Sequence, residues 1–146
     1  MNKADEAIDT FKKGFNCSQA VLSAFNKDLG LDDQAAARIA SGFGGGICHM
    51  AETCGAVTGA IMVISLKKGM SIPDHPFRSN QLVYAAIKPF IKEFVKRNNS
   101  IKCLDLLGLD IRDNEVLLKA RNEGHFYKAC PKHIHDAVEI VESIVK

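Results

Sequence analysis

The chain has 146 residues, 47% hydrophobic and 25% charged, with a net charge of +2. This is the make-up of an ordinary globular protein, one domain over residues 1–146, able to bury about 68% of the surface its unfolded form exposes. The small charge excludes an electrostatic footprint for nucleic acid or an anionic membrane, and with no Trp and few aromatics there is little to stack on bases.

The opening residues MNKADEAIDTFKKG read as a charged amphipathic helix without an apolar core, so no secretory leader is expected and the expected location is cytoplasmic. Ala4 to Lys13 is its helical part, ended by Gly14. Asn16, with Gln19 three residues on, has the form of a capping box. The helix it opens carries Cys17, Ala20, Val21, Ala24 and Phe25 on an inward stripe and closes at Gly30. Asp32 then caps a short alanine-rich helix that runs out at Ser41.

A glycine loop follows, with Gly42, Gly44, Gly45 and Gly46 inside five positions, where backbone proximity to something is needed. It leads into a central buried helix expected over about 51–68. From Cys54 to Leu66 thirteen residues carry no charge, too few for the roughly 18 that span a bilayer, so no membrane insertion is expected. Gly55 and Gly59 lie one turn apart on it, and their bare face suits close packing on another helix or on a second copy of the chain in a homodimer.

Ser71 to Pro76 is a loop. A long helix is expected from about Phe77 to Arg97, with Tyr84, Ile87, Ile91 and Phe94 inward and a kink or break at Pro89. Ser100 is placed to cap a short helix carrying Cys103, and Asp113 to cap another through Asn122. The last helix is expected to start with Cys130 at its N-cap and Pro131 at its first position. No stretch alternates as a strand does. The fold class is all-α, a single-domain bundle of six to eight helices around the central one.

Cys17, Cys54, Cys103 and Cys130 therefore all fall at expected helix starts, where free N–H groups and the macrodipole favour thiolate, the form that binds metal or attacks disulfides. Any one of them alone could equally be a small buried hydrophobe. There is no C-x-x-C, and Cys48 and Cys54 are the closest pair, near enough for a local disulfide or shared ligation. His133 and His135, two apart on a helix, read as solvated, and His75 and His125 as exposed loop residues. His49 is the one histidine kept as a ligand or acid–base group.

Cys54-Gly55-Ala56-Val57-Thr58-Gly59 resembles the CGAxxG signature of the C_GCAxxG_C_C family of redox-active proteins, with Asn16 to Val21 similar to its first cysteine helix, the Phe43–Gly46 loop ahead of the signature, and Cys103 and Cys130 as third and fourth cysteines. The resemblance covers nearly the whole chain and implies redox activity. The domain is also similar to the part of split-Soret cytochromes associated with an iron–sulfur centre, but without C-x-x-C-H no haem is expected.

The leading expectation is that Cys17, Cys54, Cys103 and Cys130 hold an iron–sulfur cluster or another thiolate-bound metal for electron transfer or redox sensing with an unidentified redox partner. Gly44, Gly45, Gly46 and Gly55 would bring backbone N–H groups to the sulfurs. The alternatives are a metal-free thiol–disulfide protein and a non-catalytic helical binding module with structural cysteines.

Overall fold

The computed structural model describes residues 1–146 except Ile72, Asp74, Pro76, Phe77 and Ser79. Among the described residues there are eight α-helices and no strand: α1 (Lys3–Lys12), α2 (Cys17–Ser23), α3 (Asp33–Ala40), α4 (Gly55–Lys68), α5 (Gln81–Asn98), α6 (Cys103–Leu107), α7 (Asn114–Asn122) and α8 (His125–Val145). The all-α expectation holds. The expected loop over Ser71 to Pro76 and helix start at Phe77 fall largely outside the described residues, and α5 is described from Gln81.

α4 is the centre. Ala56, Val57, Ala60, Val63 and Ile64 are wholly buried, because α2 lies on one side of it and α8 and α5 on others. The glycine face meets α2 of the same chain: a Cβ at Gly59 would stand 2.7 Å from the Ser18 carbonyl oxygen and 3.0 Å from Val21 Cβ. That face is therefore not free for a second copy. The start of α2 is pinned in turn, since the Asn16 and Gln19 side chains form the reciprocal capping box and also donate to the Ser41 and Ala37 carbonyls at 3.0 and 2.8 Å. Across the core, Arg97 of α5 pairs with Glu139 of α8 at 2.7 Å, and Asn98 donates to Asp136 at 3.1 Å.

Several boundaries differ from expectation for identifiable reasons. α2 ends at Ser23, and turns carry the chain on to Gly30. The central helix begins at Gly55 rather than near residue 51, because the segment before it is held in extended pairing: Thr53 bridges Lys102, Cys54 N–H donates to the Ile101 carbonyl at 2.7 Å, and Cys103 N–H donates to that of Glu52 at 2.6 Å.

Proline also behaves differently from expectation. α5 runs unbroken through Pro89, and α8 starts at His125, after Gly124 with φ +69°, so Pro131 is interior and Cys130 is not at an N-cap. In both helices the carbonyl that loses its partner belongs to an exposed residue, Ala85 or Tyr127, which leaves it open to solvent. The inward residues of α5 are Val83, Ala86, Phe90 and Phe94, while Tyr84 is outside. Ser100 accepts from Lys102 N–H at 3.0 Å, two residues short of capping α6, and Lys102 holds the N-cap position without a side-chain bond.

Candidate functional site

Cys17, Cys54, Cys103 and Cys130, far apart in the chain, line a single cavity of about 440 Å³. Three of the four are delivered by helix starts: Cys17 is the first residue of α2, Cys54 the N-cap of α4 and Cys103 the first residue of α6. Cys130 comes from inside α8. The extended pairing of residues 52–54 with 101–103 fixes Cys54 and Cys103 relative to each other through backbone bonds, independent of side-chain packing.

The glycine loop does more than bend. From Gly45 through His49 five successive residues have φ between +53° and +67°, and Ala51 has +58°. Left-handed backbone costs about 1–2 kcal/mol for each non-glycine residue, and a β-branched residue such as Ile47 is a rare occupant. The turn is held by cross-bonds, among them Cys48 N–H to the Gly42 carbonyl at 3.1 Å, Ala51 N–H to that of Gly45 at 3.1 Å and Glu52 N–H to that of Gly46 at 2.8 Å. Strain of this kind gathers at sites where geometry matters more than local stability.

Its result is that Gly44, Gly45 and His49 reach the cavity wall. Gly46 sits behind Cys103, where a Cβ would come 2.6 Å from the Cys103 Cβ and from Glu52 N. Gly55 similarly backs Cys17, its absent Cβ being 2.7 Å from the Cys17 sulfur.

The four thiols are electrostatically unequal. Cys17 is drawn down from its ordinary 9.0 to about 7, first by the Cys54 thiol donating to it, against the opposing effect of burial, and further by N–H groups of Gly45, of Cys17 itself and of Gly55. Cys54, the donor of that bond, is pushed well up by it, by burial and by the Cys17 charge. Burial and the facing Cys17 raise Cys103 to about 12. Burial, then the Cys17 and Cys103 charges, raise Cys130 too. The metal-free site thus keeps one thiolate near neutrality and three thiols protonated.

Cys48 is outside this group, exposed on the left-handed turn, and all five cysteines are free thiols, so the local Cys48–Cys54 disulfide is not formed. Two histidines depart from expectation. His133 is buried and lines the cavity, and His125 is half-buried at the start of α8 with its Nε2 3.1 Å from the Leu107 carbonyl. The signal for His133 was its spacing of three from Cys130, which puts both on one helix face. His135 is exposed, as expected. Arg121, Phe15 and Tyr127 also line the cavity, and nothing in their local sequence marked them.

Among the described residues no three His, Cys, Asp or Glu side chains are gathered as a single metal ion would need. Four thiols line one cavity, and backbone N–H groups donate to the Cys17 sulfur. No described helix is long and apolar enough to cross a membrane.

No curated protein and no solved structure matches the chain significantly. A family model described as "Putative redox-active protein (C_GCAxxG_C_C)" matches residues 15–144. The chain belongs to that family.

Proposed function

Within this family, we propose that the chain is a redox protein in which Cys17, Cys54, Cys103 and Cys130 hold an iron–sulfur cluster used for electron transfer or redox sensing. The reading rests on one observation, that these four cysteines, and not Cys48, line the same cavity. Bound there, a cluster would supply one-electron exchange. The chain's own part is to present the sulfurs from four helices and to donate N–H groups of Gly45 and Gly55 to Cys17, which stabilises negative charge on sulfur. The reading includes a cytoplasmic location, a single domain over residues 1–146 and a redox partner that exchanges the electron.

Loading has to displace protons from Cys54, Cys103 and Cys130, whose thiols all sit above their ordinary range. Affinity is therefore expected to weaken as the pH falls. Oxygen-free reconstitution with ferrous iron and sulfide tests the assignment. The wild type and Cys48→Ser are expected to take up iron and sulfide alike, while Cys103→Ser and Cys130→Ser lose most of both. Equal uptake by all four proteins would sink it.

A second reading has its own observation, the hydrogen bond from the Cys54 thiol to a Cys17 that ionises near 7. Without a cluster, Cys17 thiolate can attack a substrate disulfide, releasing one substrate thiolate and leaving a mixed disulfide. Cys54, once deprotonated, attacks the Cys17 sulfur of that bond and expels the second substrate thiolate. The dithiol is oxidised to a Cys17–Cys54 disulfide and the substrate disulfide reduced to two thiols. Mild oxidation of cluster-free protein followed by mass spectrometry is expected to give that one linkage if this reading holds, and scrambled or no linkages if it does not.

A further inference from the structure

The cavity wall opposite in chemistry to the thiols is unexplained by either reading. His49, Arg121 and His133 all line it, and none has a hydrogen bond or ion pair with a described residue. His133 is 8% exposed, and burial, then the Lys132 charge, lower its pKa against the opposing pull of Asp136, so the neutral ring is favoured. The charge of Arg121 is felt at His49, whose pKa is lowered by burial first and by that guanidinium second, so the two are neighbours. No Asp or Glu lines the cavity, and the carboxylate that acts on His133, Asp136, is itself paired with Lys132 and Arg97.

Beside these nitrogens stand Phe15, Phe126 and Tyr127, of which Phe15 is 42% and Tyr127 52% exposed, giving the cavity an aromatic edge open to solvent. A centre that only passed electrons would need no such opening, and about 440 Å³ is within the range of small-ligand pockets, roughly 300–1,000 Å³.

We infer that the cavity binds a small carboxylate with an apolar, ring-sized body: the carboxylate pairs with Arg121 and takes hydrogen bonds from His49 and His133, and the ring lies against Phe15 and Tyr127. Arg121 can offer two parallel N–H donors to such a group. Bare inorganic anions lack the body that the aromatic edge would cover, and a neutral amide lacks the charge.

Titration calorimetry of the reduced 146-residue chain with sodium benzoate, iron content being measured on the same samples, tests this. Saturable single-site binding is expected, weakened about tenfold in Arg121→Met and in His133→Phe, as loss of a hydrogen bond to a charged group implies. Benzamide and inorganic phosphate are expected to bind more weakly than benzoate. Absence of saturable benzoate binding, equal binding of benzamide, tighter binding of phosphate, or an unchanged Arg121→Met would each overturn the inference. Arg121 is exposed, so its replacement leaves the fold intact. Since Arg121 holds no sulfur, an iron content unchanged in that variant separates failure here from failure of the cluster assignment.

Discussion

Cys17 is the residue on which the chemistry turns. Its thiol is the one of the four that ionises near neutrality, and the largest cause is the Cys54 thiol. In cluster-free protein its alkylation by iodoacetamide is expected to rise with a midpoint near pH 7, and Cys54→Ala is expected to move the midpoint upward. A wild-type midpoint at the ordinary 9.0 would contradict this.

The same shift enters stability with a definite sign. A depressed thiol contributes stability that is full above about pH 9 and lost as the pH falls through about 7. Cys103 acts oppositely: its contribution is full below pH 9 and lost as the pH rises towards about 12. Four helix-start cysteines could be read from capping patterns, and three are so placed. Cys130 could not be read correctly, because proline at a helix's first position and proline inside a helix look alike locally when the unpaired carbonyl faces water.

Among the elements, the turn from Gly45 to His49 carries the most strain and α4 the tightest packing. Ile47→Gly is expected to raise stability by about 1 kcal/mol, as relief of left-handed strain exceeds the entropy cost of glycine. Gly59→Ala is expected to lower it by about 1–3 kcal/mol, because the new methyl would stand 2.7 Å from the backbone oxygen of Ser18. Urea unfolding midpoints of both variants check the two signs. The bare face of α4 was legible from the spacing of Gly55 and Gly59. The left-handed turn was not: glycines announce that φ is free to be positive, but nothing local says that Ile47, Cys48 and His49 follow them there.

For the whole molecule, helical periodicity and the absence of alternating stretches were enough for the fold class, and the capping residues Asn16, Asp32 and Asp113 marked three helix starts to the residue. The convergence of the cysteines was not contained in any local pattern. It arises from long-range contacts, the packing of α2 and α8 on α4 and the pairing of residues 52–54 with 101–103, and periodicity says only which face is inward, not what it meets.

The central claim, a four-cysteine iron–sulfur site, is tested most directly by the iron and acid-labile sulfide content of protein isolated from cells without exposure to oxygen, with its absorption spectrum. Iron and sulfide in cluster proportion with sulfur-to-iron charge-transfer bands, lost on replacing any of Cys17, Cys54, Cys103 or Cys130 and kept in Cys48→Ser, is the predicted result. Folded protein with neither iron nor sulfide, four reduced thiols in the cavity and no visible absorption would contradict it.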